Sequence, residues 1–223
     1  YGLDSYSDVD YVSVYGMKPA DWYHLGIRLL ARTTVECVRD SLGELIGKDV
    51  AKVARAANPT ENYIIDPFAG SCNSLYWLLR YMPGAKGIAF ENDQRIFQLT
   101  KDNLQFLDQK IELISGDFVS LLANHKFPRD ALLVVFVAPP WGDAMNARTG
   151  LDLRRTKPPL TDIIDDFESV CNDNPILYVT QVHKNVDTES MEVLKRRLDW
   201  TELRISALHL DGVYNVTQLD PNS

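Results

Sequence analysis

Two short segments end apolar runs with residues that could bind ligands. One run, residues 63–66, ends at Asp66, and the turn after it reads Pro-Phe-Ala-Gly-Ser. The other run, residues 131–138, is followed by Pro139-Pro140-Trp141. Apolar, β-branched runs are typical of buried strands in parallel sheets, and ligands bind at the carboxyl ends of such strands. The first end offers a carboxylate and a turn of small residues, and the second offers a rigid corner with an indole.

Strand and helix patterns alternate through the middle of the chain, which predicts a doubly wound, mostly parallel α/β sheet. The runs that predict parallel strands are residues 63–66, 87–91, 111–114, 131–138 and 176–182. The helical patterns among them cover residues 73–80, 95–106, 119–124, 160–171 and 189–198. Residues 202–210 and 213–219 flank Asp211-Gly212, a strong hairpin signal, and would complete a seven-stranded, Rossmann-like sheet.

The N-terminal part predicts a helical appendage to this sheet. Residues 1–18 show no regular period and predict an irregular arm, whose tyrosines (Tyr1, Tyr6, Tyr11 and Tyr15) either pack on the domain or form part of a substrate lid. Pro19 can open a helix that runs to about residue 32. Thr33-Thr34-Val35-Glu36 has the spacing of a capping box, which predicts a second helix to about Gly47. A polar linker follows at residues 51–62, so we divide the chain into an appendage, 1–50, and a main domain, 51–223.

The composition limits the classes of partner. Against 31 acidic residues the chain has 23 lysines and arginines, for a net charge of −8. Because nucleic-acid binding depends on neutralising phosphates, we do not expect a long RNA or DNA footprint. The three cysteines lack metal-like spacing and suit a reducing cytoplasm, where we expect the protein, without a metal. We expect no membrane span and no signal peptide, since residues 131–138 form the longest apolar run and residues 1–10 lack an apolar core.

The DPFAGS turn and the APPW corner together resemble class I S-adenosylmethionine-dependent methyltransferases of the kind that methylates amino groups. The Pro-Pro-Trp-Gly corner is most similar to that of trimethylguanosine synthase and its bacterial relatives, and the resemblance covers roughly residues 33–208. It implies methyl transfer to a planar, exocyclic amino-type nitrogen. The acceptor would be guanine in a nucleotide or RNA, or a related small molecule, with residues 1–50 covering the site.

The resemblance implies that the turn after the first strand binds the methionine part of the cofactor. Gly70 and Ser71 are small enough for the backbone to approach it closely. Asp66 would accept a hydrogen bond from the cofactor amino group, directly or through water. Phe68 belongs to the same turn. Thr34 falls where the family has a threonine-initiated helix that borders the cofactor, although a simple helix cap explains it equally well.

The ends of the next two strands would bind the rest of the cofactor. Glu91 is placed for the ribose hydroxyls, as an acid is in dinucleotide-binding folds. Asp117 is placed to accept from the adenine amino group, and Phe118 to pack on the adenine ring. Acids at strand ends also serve as helix caps, but three acids after three successive strands favour the cofactor.

Cys72 is a departure from the family, because it replaces the second glycine of the usual G-x-G turn. A side chain at this position would narrow the approach to the cofactor or require another backbone conformation. We therefore expect a shifted turn or weakened cofactor binding. A nucleophilic role is disfavoured, since the family has none and no histidine lies nearby in the sequence.

The resemblance assigns the acceptor to Ala138, Pro139, Pro140 and Trp141. Proline fixes φ and lacks an N–H group, so the carbonyl groups of Ala138 and Pro139 would project outward and hold a planar amine. The indole would stack on a flat acceptor, although a buried core tryptophan is the alternative. Ala138 has no side chain that could help hold the amine, as Asp, Asn or Ser does in many relatives.

Residues 141–159 form a long connection that is rich in glycine, proline and charge. Asp143, Arg154 and Arg155 are candidates for binding the acceptor, because paired arginines can clamp a phosphate or carboxylate. An ion pair with Asp152 is the alternative. His183, after the fifth strand, is either a further acceptor contact or a surface residue.

Two other classes of function remain to be compared. Cys72 and Ala138 would fit a non-catalytic subunit that keeps the fold to bind a partner, whereas the three acids and the Pro-Pro-Trp corner favour an enzyme. A nicotinamide-dependent oxidoreductase is excluded, because the first turn lacks the G-x-G-x-x-G pattern that binds pyrophosphate.

Overall fold

The computed structural model describes residues 12–146, 148–171, 173–205 and 212–217. Strands and helices alternate along these ranges. The helices are α1 (Pro19–Leu25), α2 (Ala31–Glu36), α3 (Asp40–Ala56), α4 (Asn73–Tyr81), α5 (Gln94–Leu104), α6 (Phe118–Leu122), α7 (Leu160–Val170) and α8 (Thr188–Lys195). The strands are β1 (Glu61–Asp66), β2 (Lys86–Glu91), β3 (Ile111–Ser115), β4 (Ala131–Val137), β5 (Met145–Asn146), β6 (Gly150–Leu151), β7 (Ile176–His183), β8 (Thr201–Ile205) and β9 (Gly212–Thr217).

The main sheet confirms the predicted seven-stranded, doubly wound α/β fold. Its strand order is β3-β2-β1-β4-β7-β9-β8. The first five strands in this order are parallel, and β9 runs antiparallel between β7 and β8. The chain passes from β1 to β2 on one side and returns to β4 on the other, so a crevice opens at the carboxyl ends of β1 and β4. The predicted hairpin turn at Asp211 lies outside the described residues, as do residues 206–210, 218 and 219.

Two apolar layers cover the faces of the sheet. Every residue of β4 is buried, and alternate side chains point to opposite faces because a strand has a period of two. Val134 and Phe136 pack on the side of α3 and α4, whereas Val135 and Val137 pack on the side of α6 and α7. None of the helices described here is both long enough and apolar enough to cross a bilayer.

The predicted N-terminal helices are wrong in their boundaries. α1 ends at Leu25, because Gly26 adopts a left-handed conformation with φ 105°. α2 begins at Ala31, so the supposed capping box lies inside the helix, where the Thr34 hydroxyl donates to the Ala31 carbonyl oxygen at 2.6 Å. The next helix, α3, begins at Asp40 and continues to Ala56. It therefore includes much of the predicted linker at 51–62 and the predicted domain boundary after residue 50.

Gly47 does not end a helix but allows α3 to approach α4. A Cβ atom at Gly47 would lie 2.6 Å from the Trp77 carbonyl oxygen, and one at Gly43 would lie 2.6 Å from the Trp77 ring. Such distances are far shorter than van der Waals contact. The two glycines on one face of α3 are thus explained by close helix packing.

The N-terminal segment packs on α4. Tyr15 and Trp22 are each 2% exposed and form an apolar cluster with Tyr76 and Trp77. The Tyr15 and Tyr76 rings meet edge to face, with their centroids 5.7 Å apart. For Tyr15, packing on the domain is therefore the correct alternative, whereas Tyr1, Tyr6 and Tyr11 lie outside the described residues.

We predict that Gly47→Ala destabilises the fold by about 1–3 kcal/mol, the usual cost of overpacking a filled core. In an open helix the same substitution would stabilise by roughly 1 kcal/mol. Here the new methyl group meets a backbone oxygen, which cannot rotate away. Urea unfolding measures the effect, and Ser41→Ala, at an exposed position of α3, should change little. A Gly47→Ala protein as stable as its parent would contradict the packing described above.

Candidate functional site

A cavity of about 1090 Å³ opens at the carboxyl ends of the central strands. Ten of the candidate site residues line it: Phe68, Gly70, Ser71, Glu91, Asp117, Phe118, Ala138, Pro139, Pro140 and Trp141. A pocket for one small ligand typically measures roughly 300–1,000 Å³. The cavity therefore lies at the upper end of the range for a small-molecule site.

Asp66 stabilises the turn after β1 from the protein interior. Its side chain is buried and does not line the cavity. One carboxylate oxygen accepts from the Phe68 N–H at 3.0 Å, and the other accepts from the Ser74 hydroxyl at 2.8 Å. Burial raises the pKa of Asp66 from 3.8 to about 6, although the Ser74 and Phe68 hydrogen bonds lower it. These bonds fix the turn, and the predicted contact of Asp66 with the cofactor amino group stays a prediction.

Glu91 connects this turn to the end of β2. Its Oε2 accepts from the Gly70 N–H at 2.9 Å, and its Oε1 accepts from the Asp93 N–H at 2.8 Å. The Gly70 carbonyl oxygen in turn accepts from the Thr100 hydroxyl at 2.6 Å. Burial raises the pKa of Glu91, and the two backbone N–H groups oppose this. Each carboxylate oxygen keeps a second lone pair with which it can accept from a ligand hydroxyl.

Of the alternatives for Cys72, a narrowed cavity is wrong, and an effect on cofactor binding stays a prediction. Its side chain is fully buried in the apolar layer between the sheet and α4, and it does not line the cavity. The residue adopts the left-handed conformation, with φ 58°, that a glycine would adopt more easily. Burial raises the pKa of the thiol well above its ordinary value, so the thiolate that a nucleophile requires is disfavoured.

Asn73 ties three distant segments together beside the cavity. It accepts from the Tyr15 N–H at 2.7 Å and donates to the Val38 carbonyl oxygen at 2.7 Å and to Asp40 at 3.0 Å. The Tyr15 hydroxyl also donates to the Ser71 carbonyl oxygen. The N-terminal segment therefore supports the turn that lines the cavity.

Asp117 and Phe118 form the wall beyond β3. Asp117 is exposed, lines the cavity and caps α6 by accepting from the Val119 N–H at 3.1 Å. Phe118 meets the Phe68 ring edge to face at 5.5 Å and stacks on Phe167 at 5.8 Å. The helix cap is thus present, and a further role for Asp117 toward adenine stays a prediction.

Thr33, which the sequence analysis did not select, lines the cavity, whereas its neighbour Thr34 does not. Thr33 is 6% exposed, and its hydroxyl has no hydrogen-bond partner among the described residues. An unpaired buried hydroxyl is costly, so it is well suited to bind a ligand. The family resemblance pointed to Thr34, whereas the structure places its neighbour Thr33 at the cavity.

The Pro-Pro-Trp corner also lines the cavity. Trp141 is half-buried there, and its ring meets the His183 ring edge to face at 5.8 Å. His183 itself does not line the cavity, and its Nδ1 accepts from the Asn185 N–H at 3.1 Å. Gln181, another residue that the sequence analysis missed, lines the cavity from β7. Trp141 is therefore available to a ligand, whereas His183 lies behind the indole.

The predicted arginine clamp is not present. Arg154 forms two bonds with Asp152, at 2.9 and 3.1 Å, and contacts Asp187 at 3.3 Å and Glu189 at 2.9 Å. Three carboxylates thus compete for its charge, and the ion pair with Asp152 was the correct alternative. Neither Arg154 nor Arg155 lines the cavity.

The 141–159 connection places a lysine at the cavity instead of the predicted arginines. The Asp143 side chain is 87% exposed, does not line the cavity and lies 4.0 Å from the Lys157 ammonium group. Lys157 and Pro158 do line the cavity. The predicted role of Asp143 in binding the acceptor is therefore not supported by its position.

The sheet order and the cavity at the carboxyl ends of its strands are those expected of a class I S-adenosylmethionine-dependent methyltransferase. A family profile supports this assignment, because the one described as RNA cap guanine-N2 methyltransferase matches residues 61–218. The chain belongs to that family, and its cofactor is S-adenosylmethionine. A search of curated protein sequences returns no match.

Solved methyltransferase structures share the fold. The METTL16 methyltransferase domain superposes with a TM-score of 0.59 at 15% identity, over 86% of this chain and 72% of that one. The N-terminal domain of human METTL16 in complex with SAH gives 0.57 at 14% identity, over 88% and 76%. Precorrin-6y C5,15-methyltransferase from Geobacter metallireducens gives 0.55 at 15% identity, over 86% and 93%. At these identities the likeness concerns the fold alone.

We predict that Asp66→Asn removes a pH-dependent loss of stability. The Asp66 carboxyl titrates at about 6 when folded and near 3.8 when unfolded, so folding favours its protonated form. Below pH 3.8 the parent carries no penalty, and between that pH and about 6 it loses on the order of 3 kcal/mol relative to the variant. Asparagine can still accept from Phe68 and donate to Ser74. Denaturant unfolding of both proteins from pH 4 to 7 tests this, and a constant difference between them would contradict it.

Proposed function

We propose that this protein transfers a methyl group from S-adenosylmethionine to the exocyclic amino nitrogen of guanine in a cap or nucleotide, or of a related small molecule. The observation that carries the proposal is that the Pro-Pro-Trp corner and Glu91 line one cavity. A corner suited to a planar amine and a carboxylate suited to ribose hydroxyls thus open into the same space. The family profile supports guanine as the acceptor class.

The residues on the Glu91 side fit the cofactor. Glu91 is held by two backbone N–H groups and keeps lone pairs for the ribose hydroxyls. Gly70, with φ 50°, brings its backbone to the cavity surface without a side chain. The unpaired Thr33 hydroxyl supplies a donor for a carboxylate or another acceptor group. Phe68 and Phe118 offer apolar faces to a flat ring.

The residues on the Trp141 side suit a flat amine. Ala138 and Pro139 are followed by prolines, so no N–H at 139 or 140 competes for their carbonyl oxygens. At least one of these oxygens would accept from the amine, and Trp141 would stack on the base, an interaction that contributes roughly 1–3 kcal/mol. Stacking fixes the plane of the base, and hydrogen bonds fix its rotation within that plane.

The main role of these residues in the reaction is to align the acceptor nitrogen with the methyl group. S-adenosylmethionine supplies a methyl group already activated by its sulfonium. The acceptor nitrogen forms the new N–C bond while the S–C bond breaks to leave a thioether, and the nitrogen then loses a proton to water. Holding the nitrogen in line with the methyl group and excluding water is therefore the main contribution of the chain. A dedicated general base is not required.

The acceptor we favour is compact. The chain has a net charge of −8, and the cations that line the cavity are only Arg32, Arg39 and Lys157 among the described residues. Arg32 pairs with Glu36 and Asp93, each at 3.6 Å. A cap dinucleotide or free nucleotide matches this limited positive charge better than a long RNA does.

A non-catalytic subunit is the second candidate function. Ala138 still favours it, because this residue lacks the side chain that many relatives use to hold the amine. Cys72 no longer favours it, since its side chain points into the core. The two candidates differ in whether any methyl transfer occurs.

We predict that Glu91→Ala weakens S-adenosylmethionine binding roughly 10–100-fold, the effect of losing hydrogen bonds to a charged group. The substitution removes the acceptor for the ribose and releases the Gly70 N–H. Calorimetry on the parent and the variant measures the affinity. Glu112→Ala is the matched control. Glu112 is an exposed acid near the start of β3, away from the carboxyl ends of the strands, and it does not line the cavity. Equal affinities for parent and Glu91→Ala would exclude Glu91 from the cofactor site.

We predict that Trp141→Ala lowers methyl transfer to a 7-methylguanosine cap analogue at least tenfold and leaves cofactor affinity unchanged, because only base stacking is lost. Trp141→Phe, which keeps an aromatic face, should retain much of the activity. Transfer from radiolabelled S-adenosylmethionine is the measurement. The inosine counterpart of the cap lacks the amino group and should accept no methyl. A parent that binds the cofactor but methylates no guanine compound would support the non-catalytic candidate.

A further inference from the structure

The acceptor side of the cavity has a polar group that none of the contacts described so far explains. Gln181 is partly exposed on β7 and lines the cavity together with Ala138, Pro139 and Trp141. Its carboxamide has no hydrogen-bond partner within the described ranges. By contrast, the carboxamide of Asn73, which also lines the cavity, is occupied by Tyr15, Val38 and Asp40. Among the residues on the side of Ala138 and Trp141, Gln181 thus has an amide that remains available to a ligand.

The strand register places Gln181 beside the residue that lacks a side chain. Val137 of β4 is paired with Thr180 of β7 in parallel register, and Ala138 and Gln181 follow directly. Neighbouring strands lie about 4.8 Å apart, and residues in register point to the same face. This agrees with the packing, because Phe136 and Ala138 contact the same apolar layer as Val179. A glutamine side chain is long enough to reach the space above an alanine on the next strand.

We propose that Gln181 is the specificity-determining residue that holds the acceptor amine, replacing the side chain that Ala138 lacks. This inference rests on the proposed function. The Gln181 Oε1 atom accepts from one amine N–H, and the Ala138 carbonyl oxygen accepts from the other. With both N–H groups held in the plane of the base, the nitrogen lone pair projects out of that plane. The Gln181 Nε2 group can donate at the same time to a ring nitrogen beside the amine.

This arrangement selects for guanine over bases without an amino group. A site built around an amine leaves its own acceptors unpaired when the amine is missing, and this penalty discriminates strongly between ligands. Without Gln181, only backbone carbonyl oxygens of the Pro-Pro-Trp corner would accept from the amine, and the site would distinguish less strongly between bases with and without an amino group. Gln181 therefore adds selectivity for the amine as well as alignment.

The experiment compares the parent with Gln181→Leu, which keeps the bulk and removes the amide. We expect kcat/KM for the 7-methylguanosine cap analogue to fall about tenfold or more, the usual scale for one hydrogen bond made to a reacting group. Binding to the SAH-loaded protein should lose much of its preference for the guanine cap over its inosine counterpart. The affinity for S-adenosylmethionine should stay within about twofold of the parent's.

Three further variants separate a direct role from a structural one. Gln181→Glu keeps the acceptor oxygens and should retain the guanine preference that Gln181→Leu loses. Ala138→Asn in the Gln181→Leu background returns a carboxamide to the neighbouring strand and should recover part of kcat/KM. Gln98→Leu, at an exposed position of α5, is the matched control and should behave as the parent.

The outcomes that overturn the inference are distinct. If Gln181→Leu keeps the activity and guanine preference of the parent, Gln181 does not hold the amine, and the proposed function stands. If the variant loses cofactor affinity and thermal stability together, and Gln181→Glu does the same, the residue is only structural. If the parent itself neither methylates nor prefers guanine compounds, the proposed function fails first and this inference with it.

Discussion

The geometry of the site depends on one buried carboxamide, that of Asn73. It is 1% exposed and makes hydrogen bonds to Tyr15, Val38 and Asp40, which lie in two segments distant from its own. Because a buried amide without partners would cost roughly 1–3 kcal/mol, the three segments are held in register around it. This junction compensates for the left-handed conformation of Cys72, which costs an L-residue about 1–2 kcal/mol. The conformation of the turn that lines the cavity is thus determined by buried contacts on its interior side.

The fold was predictable where the signal is local. The apolar runs and their abrupt ends located the parallel strands, since burial on both faces leaves a continuous hydrophobic pattern. The N-terminal helices were not predictable in the same way. Asn103 of α5 bonds to both backbone groups of Arg28, at 2.9 and 2.8 Å, and holds the chain extended before α2. A correctly spaced capping box at Thr33 was therefore overridden by a contact 75 residues away.

The site was predictable to the extent that strand ends define it. Glu91 and the Pro-Pro-Trp corner follow strands directly, so their meeting in one cavity follows from the topology. Gln181 was missed because its importance depends on the register between β4 and β7, which sequence spacing does not contain. Arg154 was misassigned for a related reason. The Leu151 N–H donates to the Asn185 carbonyl oxygen at 2.7 Å, and this brings Asp187 and Glu189 to the arginine.

The two halves of the cavity differ in how their polar groups are used. On the side of Glu91, the side chains of Asp66, Glu91 and Asn73 are already bonded to the chain, so this surface is organised before any ligand arrives. On the side of Trp141, the prolines restrict the backbone by covalent geometry, and little conformational entropy would be lost when the carbonyl oxygens of this corner meet a ligand. A rigid cofactor surface would determine where the methyl group is presented. Under the proposed function, discrimination among flat acceptors would then be left to the few side chains that still have unused contacts, Trp141 by stacking and Gln181 by hydrogen bonding.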